Sequence, residues 1–161
     1  MDYLTTLNQS VTTTLAANRI GAPVFVRWTA ATAGSAAELK PHLATMAIHA
    51  ARWLNGELGR LYATGDTGRG HLSLTLEYTS GSLALLALTL AHGRPHVSLA
   101  IFGNQGAIYH SDFIVPARDG SLARHSPGAN AAAEIRSILA AMDASLAERQ
   151  PVPLSAIGAP S

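Results

Sequence analysis

The chain contains no cysteine. This absence excludes disulfides, catalysis by a thiolate and cysteine-ligated zinc. Charge is also scarce, because charged residues make up 13% of the sequence and the formal net charge is +1. No two lysines or arginines are adjacent. Since recognition of nucleic acid requires a concentrated basic face, we expect no nucleic-acid partner.

Long apolar runs are missing as well. The longest, from Leu83 to Ala91, is interrupted by Thr89 and is much shorter than the roughly 20 residues that a membrane-spanning helix requires. Asp2 stands where a secretory signal would carry basic residues. We therefore expect no membrane association and no signal peptide. The lack of cysteine fits a cytoplasmic location.

Apolar residues, by contrast, are abundant and make up 48% of the 161 residues. A chain of this size and composition can bury the core of one globular domain. Without a repeat or a linker in the sequence, we expect a single domain over residues 1–154 and a frayed Gly/Ala/Pro/Ser tail over residues 155–161. The small number of charges favours an oligomer, because little polar surface is left to face water.

Three stretches have the apolar spacing of amphipathic helices. They are residues 3–19, 41–54 and 131–149. The second helix has two predicted starts: a capping box of Ser35 and Glu38, or Pro41, since proline is tolerated only in a first turn. Asn55 and Gly56 are expected to end it.

Apolar runs with period two, or apolar on both faces, predict strands. The predicted strands are residues 24–29, 72–78, 83–90, 97–101 and 107–110, with a loop over residues 118–130. Short turns join the last four strands, which predicts an antiparallel meander. The expected fold class is α+β: a largely antiparallel, open-faced sheet with helices packed on one face.

Four motifs, in this order, resemble the C-terminal domain of the glucose–fructose oxidoreductase/inositol dehydrogenase (Gfo/Idh/MocA) family. They are a first strand at residues 21–27, an Arg-Trp-Leu-x-Gly helix end at residues 52–56, an Ile-x-Gly-x-x-Gly hairpin at residues 101–106, and a closing helix with Ser145 followed by an exit at residues 151–154. The resemblance covers nearly the whole chain. It implies the α+β fold of that domain and, by analogy, a small sugar-like, carbonyl or carboxylate ligand.

Two departures from that family bear on function. Its members normally begin with a Rossmann domain, but residues 65–70 have the wrong glycine spacing for a dinucleotide-binding turn and precede a strand. We therefore expect this chain to bind no cofactor alone, and to reach NAD(P) only through a Rossmann-containing partner. In the family, the long helix carries an acid and, four residues later, a proton-transferring histidine. Counted back from Trp53, these positions hold His42 and Met46 here, and a thioether cannot transfer protons.

One face of the second helix is the candidate site. His42, Met46, His49 and Trp53 follow one another at helical spacing and so share a face. If this face lines the pocket, His42 and His49 are the predicted catalytic acid–base residues, and Met46 and Trp53 the predicted substrate-binding residues. Arg27, on the first strand, is a further predicted substrate-binding residue, because its guanidinium can hold a carboxylate or phosphate.

The alternative interpretation of the same residues is that their role is only structural. Met46 and Trp53 would then belong to the core, the histidines would bond to backbone or solvent, and Arg27 would pair with Glu77 across the sheet or in a solvated or interfacial ion pair. No metal site is predicted, because His42 and His49 are about 10 Å apart along the helix axis instead of one turn.

Three functions follow from these residues, and whether the chain is an enzyme stays open. The first is an auxiliary or divergent non-redox protein that binds a small polar ligand and forms a homodimer through the open sheet face. The second is a cofactor-independent isomerase, lyase or cyclase that uses His42 and His49. The third is an oxidoreductase subunit whose partner chain supplies NAD(P). The joint loss of the cofactor domain and of the acid–base histidine favours the first.

Overall fold

A computed structural model describes residues 3–91, 94–113 and 129–154. Over these ranges the chain forms one sheet and one layer of helices. The elements in chain order are α1 (Tyr3–Ala16), β1 (Pro23–Thr32), a 3₁₀ helix (Ala36–Glu38), α2 (Leu39–Leu54), β2 (Leu58–Asp66), β3 (His71–Tyr78), β4 (Leu83–Leu90), β5 (His96–Gly103), β6 (Ala107–Phe113), α3 (Ala129–Glu148) and β7 (Val152–Pro153). None of the described helices is long and apolar enough to cross a membrane.

The strands lie in the order β6-β5-β1-β4-β3-β2-β7. The pairing of β1 with β4 is parallel, and the other five pairings are antiparallel. The predicted meander is wrong at one point, because β1 lies between β4 and β5, so the connection between these two strands crosses β1. The strand β2 was not predicted. Its apolar residues do not alternate regularly, because Gly59 lies among them and the pairing with β3 shifts register between Leu58 and Arg60.

The long strands bury one face and leave most of the other exposed or half-exposed, as period-two alternation requires, although Ala31 of β1 and Ala100 of β5 are buried on that second face. On β3, Leu72, Leu74, Leu76 and Tyr78 are buried, whereas the residues between them are exposed or half-exposed. The helices pack on the buried face, whereas the opposite face carries the exposed side chains of Leu83, Leu85 and Tyr109. This arrangement confirms the predicted fold class.

The start of α2 follows the capping box. The backbone N–H of Ser35 donates to Glu38 Oε2 at 2.7 Å, and the 3₁₀ turn that begins there continues directly into α2. Pro41 therefore lies in the first turn of α2, where a missing N–H removes no helical hydrogen bond. Of the two predicted starts, the capping box is correct. The predicted end is confirmed too, because Asn55 adopts a left-handed conformation with φ of 47°.

The Ile-x-Gly-x-x-Gly hairpin is fastened to the entry of β1. The backbone N–H groups of Asn104 and Gln105 donate to the carbonyls of Ala22 and Ile20, each at 3.1 Å. A Cβ on Gly103 would lie 2.0 Å from the Ile20 carbonyl oxygen. Only glycine permits this approach, which explains why the hairpin motif carries it.

α3 closes the edge of the sheet through Ser145, which is fully buried. Its Oγ accepts a hydrogen bond from the Ala63 N–H at 2.9 Å and donates one to the Gln150 carbonyl at 2.7 Å. Ala63 lies on β2 just beyond the short pairing with β7. The serine thus satisfies a backbone donor that the two-residue strand β7 is too short to reach.

Replacing Ser145 by alanine is expected to lower the free energy of unfolding by about 1–3 kcal/mol, because a buried N–H loses its acceptor. Urea denaturation of the variant measures this loss. Ser137→Ala is the matched control, since Ser137 is exposed on the same helix, and it should change stability by less than about 0.5 kcal/mol. Equal stability of the two variants would contradict the role given to Ser145.

Two predicted segments lie outside the described residues. They are residues 118–128 of the predicted loop and the tail over residues 155–161. Residues 129 and 130, predicted as the end of that loop, begin α3 instead.

Candidate functional site

The predicted site face of α2 points into the interior of the domain. Met46 and Trp53 are each 3% exposed and His49 is 6% exposed. The His49 ring stacks on Trp53, with centroids 6.1 Å apart, and lies 6.3 Å from Trp28 of β1. These rings form a buried aromatic cluster between α2 and the sheet.

Trp53 is the centre of this aromatic cluster. Its ring centroid is 5.1 Å from that of Trp28, and its Nε1–H donates to Asn8 Oδ1 of α1 at 3.0 Å. The side chain therefore ties α1, α2 and β1 together. Neither Trp28 nor Asn8 was singled out from the sequence, because nothing in the local pattern shows which strand residue a helix residue will meet.

His42 lies on the same face of α2 but is only half-buried. Its Nδ1 is 2.8 Å from the carbonyl oxygen of Glu38, one turn earlier. Because a carbonyl oxygen only accepts hydrogen bonds, this contact places a proton on Nδ1 and fixes the ring orientation. The ring is thus held by the backbone.

Arg27 lies on the opposite face of the sheet from α2. It is exposed on β1, in register with Leu85 of β4 and Ala100 of β5. The sheet separates it from the other predicted site residues, so the five residues do not share one cavity. Within one chain, the predicted pairing of Arg27 with Glu77 across the sheet is wrong, since the Glu77 carboxylate lies 3.9 Å from Arg60 instead. The catalytic roles of His42 and His49, and the binding roles of Arg27, Met46 and Trp53, stay predictions.

A groove of about 440 Å³ opens on the other side of α2, between its C-terminal half and α3. We call it the α2–α3 groove. Its apolar lining is buried or half-buried and comes from Ala47, Ile48, Ala51, Leu58 and Ile138. Its polar lining is exposed or half-exposed and comes from Arg52, Asn55, Glu57 and Glu134.

The charged side chains of the groove do not form ion pairs with one another. Arg52, Glu57 and Glu134 form no ion pair with any described residue. The described ion pair between these two helices, Lys40 with Asp143, involves other residues and has N and O 2.5 Å apart. Three charged groups beside an apolar surface, together with the amide of Asn55, supply hydrogen-bond donors and acceptors for a small polar molecule.

This groove was not predicted from the sequence, because the predicted site lies on the other face of α2. Arg52 belongs to the Arg-Trp-Leu-x-Gly motif, but only the packing of α3 turns its face of the helix into a concave surface. Glu134 lies 77 positions after Glu57 in the chain, and no sequence pattern links the two. Among the described residues, no group of three or more histidines, aspartates or glutamates is arranged to hold a metal ion.

Comparison with known proteins gives no match to a family model and no match to a curated protein. Solved structures do match. A probable dehydrogenase from Thermotoga maritima superimposes with a TM-score of 0.72 at 13% identity, over 91% of this chain and 61% of its own. The fold is that of a dehydrogenase C-terminal domain.

Other dehydrogenases give the same result. A putative myo-inositol dehydrogenase from Sinorhizobium meliloti has a TM-score of 0.70 and 18% identity, over 92% of this chain and 62% of its own. The myo-inositol dehydrogenase from Lactobacillus casei, solved with NAD(H) and myo-inositol, has a TM-score of 0.68 and 14% identity. The match covers 96% of this chain and 60% of that dehydrogenase. The dehydrogenase C-terminal fold predicted from the four motifs is thus confirmed, and the chain spans about 60% of the length of these structures.

Proposed function

We propose that this domain binds a small polar molecule in the α2–α3 groove and serves as an auxiliary, non-redox module of the oxidoreductase type. The observation that carries the proposal is the groove itself. Its volume of about 440 Å³ lies within the range of small-molecule sites, which combine an apolar lining with a few polar groups. The dehydrogenase fold supports a sugar-like, carbonyl or carboxylate ligand by analogy.

The non-redox part of the proposal rests on α2. At the position of the family's proton-transferring histidine this chain has Met46, which is buried and cannot exchange a proton. His49 is enclosed by two indoles. Neither side chain is available to take a proton from an alcohol while hydride leaves it.

A dinucleotide site belongs, in this proposal, to a Rossmann-containing partner. Gly65, Gly68 and Gly70 lie in and around the turn between the antiparallel strands β2 and β3, where Gly68 N–H donates to Asp66 Oδ1 at 2.7 Å. A pyrophosphate-binding turn leads instead from a strand into a helix, whose N-terminus faces the phosphates. The turn geometry therefore supports a domain that holds no NAD(P) by itself.

A cofactor-independent isomerase, lyase or cyclase is the second candidate function. The observation that favours it is the fixed ring of His42, because a proton held on Nδ1 by the Glu38 carbonyl leaves Nε2 as the basic nitrogen of the neutral ring. In this alternative His42 exchanges a proton at Nε2, and His49, two turns further along α2, is the second acid–base residue.

Filling the groove is expected to abolish binding. The variant Ala51→Trp places an indole where the methyl group of Ala51 lines the groove, so the affinity for a bound probe should fall at least tenfold. The measurement is a ¹H–¹⁵N chemical-shift titration with myo-inositol as the hydroxylated probe and gluconate as the carboxylated one. In the wild type, at least one probe should give saturable shifts at Ala47 and Ile138, and NADH should not.

Ala140→Trp is the matched control, because Ala140 is exposed on α3 and does not line the groove. It should bind the same probe as tightly as the wild type. Unchanged binding by Ala51→Trp, or wild-type shifts that cluster away from the groove, would contradict the proposed site.

A further inference from the structure

The α2–α3 groove carries an excess of negative charge. Its lining includes two carboxylates, those of Glu57 and Glu134, but only one guanidinium, that of Arg52. None of the three forms an ion pair with a described residue, and the guanidinium can offset at most one of the two carboxylates. Because a binding surface and its ligand attract each other when their charges are opposite, this lining favours a ligand with a positive charge.

The C-terminal end of α2 adds to this negative potential. Asn55 and Gly56, which also line the groove, directly follow the last turn of this 16-residue helix. The last carbonyl groups of a helix give its C-terminus a partial negative charge, of which Arg52 in the last turn offsets a part. A cation in this part of the groove is therefore stabilised by the helix as well as by the carboxylates.

The two carboxylates come to the groove from different elements. Glu134 lies in the second turn of α3, whereas Glu57 lies between α2 and β2. The groove thus has an acid on each of its two sides. An ammonium group has three N–H donors and no acceptor, so it can donate to more than one carboxylate, which suits this arrangement.

Arg52 determines what else the ligand must carry. A guanidinium has five N–H donors and no acceptor, so it binds hydroxyl or carboxylate oxygens and repels a second ammonium group. The side-chain amide of Asn55 can both donate to a hydroxyl and accept from one. The ligand should therefore combine one ammonium group with several oxygens, which disfavours a simple polyamine.

The apolar lining fits the carbon skeleton of such a molecule. Ala47, Ile48, Ala51 and Ile138 form an apolar wall beside the charged groups, against which the C–H face of a hydroxylated ring can pack. The groove volume of about 440 Å³ lies near the lower end of the range of small-molecule sites, about 300–1,000 Å³. A ligand with a single ring fits such a volume better than a sugar joined to a nucleotide.

We infer that the ligand of the α2–α3 groove is a hydroxylated primary amine, such as an amino sugar, bound in its ammonium form. The ammonium group donates hydrogen bonds to Glu57 and Glu134, the hydroxyl oxygens accept them from Arg52, and the ring packs on the apolar wall. The inference rests on the proposed function, because it names the ligand class of the same groove.

Three sugars that share a ring test the need for a positive charge. D-Glucosamine carries an ammonium group at about pH 6, whereas D-glucose and N-acetyl-D-glucosamine are neutral. In a ¹H–¹⁵N chemical-shift titration of the full chain at low salt, D-glucosamine should bind at Ala47 and Ile138 at least tenfold more tightly than either neutral sugar. Addition of about 0.5 M NaCl should weaken the binding of D-glucosamine severalfold and leave that of D-glucose unchanged, because salt screens exposed charges.

Removal of each carboxylate tests which groups hold the ammonium. Glu57→Gln and Glu134→Gln preserve the shape of the side chain and remove its charge. Each should lower the affinity for D-glucosamine at least threefold and change the affinity for D-glucose by less than about twofold. Glu148→Gln is the matched control, because Glu148 is exposed on α3 and does not line the groove, and it should bind D-glucosamine as the wild type does.

Equal affinity of the wild type for D-glucosamine and D-glucose would overturn the inference, and so would glutamine variants that bind D-glucosamine as tightly as the wild type. Shifts in the groove with myo-inositol or gluconate, but none with D-glucosamine, would overturn it and leave the proposed function intact. No shifts in the groove with any of these probes would contradict the proposed function as well.

Discussion

Replacing Trp53 by alanine is expected to lower the free energy of unfolding by about 3–5 kcal/mol, as truncations of large buried aromatics do. The indole is 3% exposed and contacts the rings of Trp28 and His49. Its removal leaves a cavity where three elements meet. It also takes the hydrogen-bond donor away from Asn8.

Urea denaturation followed by far-ultraviolet circular dichroism measures this effect. Trp53→Phe is the informative comparison, because it keeps an aromatic ring against Trp28 and His49 but loses the N–H, and it should lose only about 1–3 kcal/mol. If Trp53→Ala lost less than 1 kcal/mol, Trp53 would not be the structural centre of α2 that its contacts indicate.

Replacing Tyr78 by phenylalanine is expected to stabilise the domain, and increasingly so at alkaline pH. The hydroxyl of Tyr78 is buried and has no hydrogen-bond partner among the described residues. Removal of such a group should raise the free energy of unfolding by about 1 kcal/mol at neutral pH. Burial also raises the pKa of the Tyr78 hydroxyl well above its usual value near 10.

The sign of the pH dependence follows from that pKa. Above pH 10 the unfolded chain releases the Tyr78 proton while the folded chain keeps it, so the wild type loses up to about 1.4 kcal/mol of stability per pH unit from this group. Below pH 10 the group adds no pH dependence. Thermal melts of wild type and Tyr78→Phe between pH 9 and pH 11.5 should therefore diverge.

Tyr62→Phe controls for the general alkaline effect, because Tyr62 lies half-exposed on the open face of the sheet and should melt in parallel with the wild type. A constant difference between wild type and Tyr78→Phe over the whole pH range would show that the Tyr78 hydroxyl ionises as readily in the folded protein as in the unfolded chain.

The local elements of this fold were predictable because local rules determine them. Ser35 and Glu38 predict the start of α2, and Asn55 predicts its end, since each residue satisfies backbone groups within one turn. The alternation from Leu72 to Tyr78 predicts both the strand β3 and its buried face. The four motifs then give the order of these elements as that of a dehydrogenase C-terminal domain.

The neighbours of each element were not predictable in the same way. Alternation assigns a residue to one face of a strand but does not determine which strand lies beside it, so the insertion of β1 between β4 and β5 was missed. For the same reason Arg27 was grouped with residues of α2, although β1 points its side chain to the other face of the sheet.

Prediction of the candidate site from the sequence meets the same limit. His42, Met46, His49 and Trp53 do share a helix face, but helical spacing alone cannot distinguish a face that lines a pocket from one that packs on a sheet. The α2–α3 groove depends on how α3 packs against α2, and its lining residues lie far apart in the chain. Such a surface appears only once the tertiary structure is assembled.

A crystallographic soak of the domain with small sugar-like, carbonyl and carboxylate compounds tests the central claim most directly. Ligand density is expected in the α2–α3 groove, in contact with Arg52, Glu57 or Glu134. Density beside His42 and His49 instead, with the α2–α3 groove empty at saturating concentrations, would contradict it.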